Sequence, residues 1–249
     1  MVILNELNYV TQMLQDKERR YYNKKELSMF IKFLVKENYS LEETVGIFND
    51  FMSEVYEDYI PEKYVDFIEH TYKKMVKRDY KLLDIDSLYL TDKEIELILT
   101  LKSTRQQKVL ATIMLLSKMN FINRDSNIIF QHPSTIFSLA NVSMSKNQQD
   151  DMIALFDKMG FIELDRENYD SLKFNVICLK DGKNEFEITE MEDVGKKIDK
   201  HIKLHYKGYK KCSECDKILK PKKTARPTCI CKEGARKENI RKTLENRKK

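Results

Sequence analysis

Turn-forming residues are scarce in this chain: its 249 residues include only 6 glycines and 4 prolines. An all-β fold needs a tight turn at the end of almost every short strand, and glycine and proline supply most of those turns. The chain is therefore expected to be mainly α-helical, with long helices and at most a small β-hairpin. Hydrophobic residues make up 41% and charged residues 34%. That is enough apolar matter for a sizeable core beneath a heavily charged surface.

The helix signals are regular over the first hundred residues. Ile3 to Gln15 reads as an opening helix. Asn23 with Glu26, and Ser40 with Glu43, have capping-box spacing, each just before an apolar series at helical period. Pro61 suits a first helical turn leading to Tyr64, Phe67, Ile68 and Tyr72. An irregular stretch is expected from Tyr80 to Leu90, and Thr91 with Glu94 then caps a short helix.

After Ser103 the pattern changes. Gln107 to Met119 is apolar on most sides and should lie at the centre of a domain. Ile128 to Phe130 reads as a short strand, Pro133 to Leu139 as a short helix and Ser145 to Met159 as a longer one, closed by Gly160. Phe161 to Leu164 and Leu172 to Leu179 read as two strands joined by a polar turn at 166–171, and Asp181-Gly182 leads into a third strand, Glu185 to Ile188. Helix, strand, helix, helix and hairpin is the order of a winged helix-turn-helix. In that fold the first residues of the third helix reach base edges. Here they are Lys146, Asn147, Gln148 and Gln149, following Ser145. Asparagine and glutamine suit adenine, and lysine suits guanine or phosphate. Asp150, Asp151 and Asp157 on the same helix oppose phosphate contact.

The strongest chemical signal is at the C-terminal end. Cys212 and Cys215 are separated by two residues, 13 residues follow, and Cys229 and Cys231 are separated by Ile230 alone. Two close thiolate pairs can surround one tetrahedral Zn²⁺, and four protein ligands leave no open position, so the zinc would be structural. From Lys207 to Lys249 there are 16 basic and 5 acidic side chains, a net +11 within a chain of net +5, which leaves −6 for the first 206 residues. Bound zinc with four thiolates would remove about 2 of those positive charges. Lys222, Lys223 and Arg226 lie between the cysteine pairs, and Arg236, Lys237, Arg241 and Lys242 follow them. Such a tail is an electrostatic footprint for nucleic acid without sequence preference. Tyr206 and Tyr209 beside Lys207, Lys210 and Lys211 could stack on exposed bases or pack the knuckle onto the body.

The helical N-terminal segment, the phrase Leu82-Leu83-Asp84-Ile85-Asp86 before Thr91-Asp92-Lys93-Glu94, the winged-helix-like block and the four-cysteine end occur in one order. With these features the chain resembles uncharacterised phage and prophage winged-helix proteins of low-GC Gram-positive bacteria that carry a C-terminal zinc knuckle. The segment Glu26 to Lys77 is also similar to the small helical domain appended to some plasmid and phage primases. The phage resemblance implies a winged-helix, zinc-binding protein acting on nucleic acid, and no reaction. Members of the family tend to place two residues between the last cysteines, where this chain has one.

The resulting expectation is a helical N-terminal domain over 1–101, a winged-helix-like domain over 102–190, a connector over 191–209, and a zinc knuckle with basic tail over 210–249. The protein would bind DNA in replication initiation or transcriptional control. The alternative is a protein-binding inhibitor or adaptor acting on host machinery, favoured by the acidic body. A host or phage protein partner and a homo-oligomer both remain open.

Other classes find little support. No apolar run is long enough to span a membrane, and Met1-Val2-Ile3-Leu4 lacks a basic leader, so a cytoplasmic protein with reduced cysteines is expected. There is no phosphate-binding glycine loop and no nucleophile–base order, so no enzyme is expected. Asp84/Asp86 and Asp150/Asp151 resemble nuclease acid pairs only superficially. His201 and His205 share a helical face, but the pair lacks the glutamate of a zinc-protease motif. Cys178, between Ile177 and Leu179, reads as a buried free thiol.

Overall fold

The computed structural model describes residues 2–78, 81–165, 173–211 and 217–219. The chain is mostly helical with small sheets, and it divides into two compact units, Met1–Leu88 with Thr189–Met191, and Tyr89–Ile188 with the chain from Glu192 onward.

In the first unit, α1 (Glu6–Asp16), α2 (Lys24–Lys36), α3 (Leu41–Val55) and α4 (Val65–Arg78) pack around Val10, Phe30, Ile31, Phe48, Phe51 and Ile68. Phe30 stacks on Phe48 with ring centroids 5.8 Å apart, and meets Phe51 edge-on at 5.1 Å. Both expected capping boxes form, at Asn23/Glu26 and Ser40/Glu43. Glu26 is buried, because its carboxylate also accepts from Arg20 at 2.8 Å and from the Tyr9 hydroxyl. Burial works against its charge, but the hydrogen bonds from Tyr9, Arg20 and the Asn23 N–H outweigh it and hold the carboxyl below its ordinary range. Burial of Tyr9 itself, with the bond to Glu26, pushes the Tyr9 phenol up to about 12. The opening helix starts later than Ile3, because Leu4 and Glu6 are tied by backbone bonds to Ile85 and Leu83.

The second unit is built on α6 (Thr104–Arg124). Its residues Val109 to Leu116 are all fully buried, as a helix apolar on most sides requires. Before it lie β1 (Leu88–Thr91) and α5 (Asp92–Leu99), whose Thr91/Glu94 capping box is present. After it come β2 (Ile128–Ile129), α7 (Pro133–Leu139), α8 (Lys146–Lys158), β3 (Ile162–Leu164) and β4 (Phe174–Val176). These strands form an antiparallel sheet in the order β2-β4-β3, with Ile128 opposite Asn175 and Ile162 opposite Val176. The outer edge of β2 is covered by the Asn120 carboxamide on α6, which donates to the Ile128 carbonyl at 2.7 Å, while the Asn127 carbonyl accepts from the Val176 N–H of β4 at 3.3 Å and from the Ser117 hydroxyl at 3.1 Å. Gly160 closes α8 with a φ of +71°, which only glycine adopts without strain.

Two expectations change. The stretch 80–90 is not wholly irregular, since its last residues form β1. The expected third strand of the hairpin, β5 (Asn184–Ile188), pairs with β1 and not with β4. Local patterning marks β5 as a strand but carries no information about its partner. Thr91 donates to the Lys180 carbonyl at 2.9 Å, and the Asp92 N–H to that of Lys183 at 2.8 Å, which selects β1.

The division after Leu88 also precedes the boundary expected at 101, because α5 and β1 pack into the second unit. The segment expected to be a helical or irregular connector, 191–209, holds the helix α9 (Val194–His205), whose Val194, Ile198 and Ile202 are buried along α6. Finally β6 (Lys210–Lys211) pairs antiparallel with β7 (Ile218–Leu219). The polar turn at 166–171 lies outside the described residues.

Candidate nucleic-acid interface

The sequence points to the start of α8. Ser145 caps the helix, and its hydroxyl accepts from the Gln148 N–H. Gln148 returns the bond, its side-chain oxygen accepting from the Ser145 N–H at 3.1 Å. Gln149 folds back to donate to the Met144 carbonyl at 3.1 Å. Two of the four expected base-reading side chains are thus committed to closing the helix end. Lys146 and Asn147 are exposed, while Met152, Ile153 and Phe156 form the buried stripe of the helix.

The acids of this helix divide. Asp157 is spent inside the fold, accepting from the Leu164 N–H at 3.1 Å. Asp150 and Asp151 are exposed beside Lys146 and Asn147. The outer surface of α8, with Lys146 and Lys158 against Asp150 and Asp151, is close to neutral.

Cys212, Cys215, Cys229 and Cys231, and the tail residues Lys222, Lys223, Arg226, Arg236, Lys237, Arg241 and Lys242, lie outside the described residues. The hairpin that flanks the first cysteine pair is described: Lys211 and Ile218 are cross-strand partners, and the six residues between them include Cys212 and Cys215. Among the described residues, no group of three or more His, Cys, Asp or Glu side chains could hold a metal ion.

His201 and His205 stack with centroids 4.4 Å apart. The His201 Nε2 lies 3.6 Å from Glu185, too far for a hydrogen bond, and the Phe186 ring is 5.2 Å away. Burial, then the neighbouring His205, hold the His201 pKa below its ordinary value against the pull of Glu185. Tyr206 is half-exposed, and its hydroxyl donates to Glu185 at 3.3 Å. Lys203 lies 5.9 Å from the centre of the Tyr209 ring.

Asp84 and Asp86 both accept from the Asn5 side chain, at 2.9 and 3.3 Å, and so tie the start of α1 to this segment. Cys178 is buried, and burial pushes its thiol up to about 12, so it is neither nucleophile nor ligand at neutral pH.

The structure adds a basic face that the motifs alone do not single out. Lys196, Lys200 and Lys203 recur at intervals of four and three residues, which puts them on one side of α9, and Lys207 follows just past the helix end at His205. The signal that could have found them is this spacing, on the same segment in which His201 and His205 share a helical face.

Comparison with protein-family models, curated proteins and solved structures gives no match for this chain.

Proposed function

We propose that the protein binds duplex DNA through a winged helix-turn-helix made by α6, α7 and α8 with β2, β3 and β4, and holds it with a zinc-supported basic tail. One observation carries this reading: the helix–strand–helix–helix–strand–strand order combined with an antiparallel sheet in the order β2-β4-β3. That arrangement leaves the start of α8 in solvent, where a recognition helix has to be. With Gln148 and Gln149 committed to the helix end, Lys146 and Asn147 are the side chains left for base edges. Two contacts of this kind supply little discrimination, so affinity rests on phosphates.

The tail supplies that charge through Lys222, Lys223, Arg226, Arg236, Lys237, Arg241 and Lys242. Structural Zn²⁺ on Cys212, Cys215, Cys229 and Cys231 would anchor it. The antiparallel pairing of Lys210–Lys211 with Ile218–Leu219 supports this, since a closed hairpin around the first cysteine pair is the setting in which a zinc knuckle presents two thiolates. The role is non-enzymatic and cytoplasmic, in replication initiation or transcriptional control of a mobile element. No described helix is long and apolar enough to cross a membrane.

The test is DNA binding of the full chain against salt, with metal analysis of the same sample. Expected are one zinc per chain and a log affinity that falls linearly with log salt. Converting the seven tail residues to glutamine should flatten the slope. No salt-dependent DNA binding at low ionic strength would overturn the reading.

A second reading, a protein-binding adaptor or inhibitor, is favoured by the first unit. Between Glu37 and Glu69 there are ten carboxylates and a single lysine, Lys63, and Ile60 and Val65 are exposed among them. An acidic surface with exposed apolar residues suits a basic protein face. It predicts that a host protein co-purifies with the chain and that the glutamine-substituted tail leaves function intact.

A further inference from the structure

We propose that the lysine face of α9, continued by the β6–β7 hairpin, is a second contact surface for the sugar-phosphate backbone of the same duplex. The inference rests on the DNA-binding reading above and gives it a surface built from folded, described residues. Val194, Ile198 and Ile202 are buried on one side of α9. Lys196, Lys200 and Lys203 line the other, spaced about 5 Å apart along the axis by the 1.5 Å helical rise, and Lys207 follows just past the helix end at His205. Lys210 and Lys217 are exposed on the hairpin that follows.

The charge on this face is partly committed. Lys196 pairs with Asp193 at 2.8 Å, and Lys203 with Asp199 at 2.5 Å. Lys200, Lys207, Lys210 and Lys217 are exposed and meet no carboxylate partner among the described residues. Lysines that serve only solubility are commonly interspersed with acids on a surface. Here the run from Val194 to Lys211 carries seven lysines and one acid, Asp199. The outer surface of α8, by contrast, is nearly neutral.

Position supplies the second argument. The first turn of α9 is seated on the turn between α7 and α8. Gly195 abuts the Ala140 carbonyl, so that a Cβ built on it would lie 1.6 Å from that oxygen, and the Asn141 side chain donates to Asp193 at 3.4 Å. The lysine row therefore starts beside the turn that leads into Lys146 and Asn147. A duplex lying at the start of α8 has its flanking backbone within reach of α9.

The experiment uses the full chain with Lys200→Gln, Lys207→Gln and Lys210→Gln combined. Each phosphate contact contributes about 0.9 to the log–log salt slope for duplex DNA, so the slope should fall by roughly 2 to 3. The arginine version of the triple variant should keep the wild-type slope. A control that removes the same charge from the first unit, Lys63→Gln with Lys74→Gln and Lys77→Gln, should also keep it. If the α9 variant binds duplex with the wild-type slope, the surface is refuted while the DNA-binding reading stands. The surface is equally refuted if the control lowers the slope as much, or if only single-strand binding is lost. If the wild-type chain binds no DNA, both fail together.

Discussion

Gly195→Ala is the sharpest test of how the second unit is assembled. A Cβ at this position would lie 1.6 Å from the Ala140 oxygen, 2.2 Å from its carbonyl carbon and 2.8 Å from its Cα. Non-bonded carbon contacts are comfortable only from about 3.5 Å, so two backbones would have to separate by roughly 2 Å. Neither is the flexible end of a side chain, so the strain cannot be relieved locally. Overpacking of this kind costs about 1–3 kcal/mol. Moving α9 outward also loosens Val194, Ile198 and Ile202, whose burial contributes about 1.5–3 kcal/mol each and part of which would be lost. Replacing a helical glycine by alanine returns about 0.5–1 kcal/mol. The expected balance is a destabilisation of α9 of roughly 3 kcal/mol.

Two compact units make a single unfolding midpoint ambiguous, so the assay is amide hydrogen exchange read at α9 and α6. Protection of α9 should drop by about a hundredfold, at 1.4 kcal/mol per factor of ten. Gly46→Ala is the matched control. It lies inside α3 with nothing within 4 Å of the new Cβ, and it should raise α3 protection slightly. If Gly195→Ala left α9 protection unchanged or raised it as helix propensity alone would, the close packing of α9 on the α7–α8 turn would be wrong.

Glu94 is fully buried and accepts from Lys118 at 2.6 Å and from the Thr91 and Lys180 N–H groups at 2.8 and 3.2 Å. Removing it leaves the half-buried Lys118 ammonium with only the Tyr89 carbonyl and strands two backbone donors, so Glu94→Ala should cost about 3–5 kcal/mol in denaturation of the second unit. His201 has a folded pKa below its ordinary 6.5, so the unfolded chain binds the proton more readily. Its contribution to stability is complete above pH 6.5 and is lost as pH falls from there toward the lowered folded value; His201→Phe should flatten that part of the stability–pH curve. Thiol titration should find Cys178 unreactive in the native protein and reactive only after denaturation, because burial pushes its pKa to about 12. If zinc is bound as proposed, chelation should release four further reactive thiols and no fifth.

Local rules are legible in the sequence where one residue reports on its neighbours. The capping pairs at Asn23, Ser40 and Thr91 mark helix starts because the carboxylate three residues on reaches back to the free N–H of the capping residue. The apolar run of α6 announces a central helix because nothing polar enough for solvent interrupts it. At the start of α8 the sequence identifies the side chains but only half of their chemistry. Gln148 and Gln149 carry the right groups for adenine, yet the nearest unpaired backbone groups claim them. Composition does not register that competition, because it is decided by distances of about 3 Å within one helix end.

By itself, the sequence determined the helical class, the places where most helices begin and end, and the split between an acidic body and a basic end. These follow from short-range sterics, capping and the scarcity of glycine and proline. Only tertiary structure decided that β5 pairs with β1, that Asn120 closes the edge of β2, and that α9 belongs to the second unit, seated through Gly195 on the turn before α8. Most of these join residues many positions apart. Such pairings are chosen by which surfaces fit and which hydrogen bonds close, and no periodicity within a single segment records that choice.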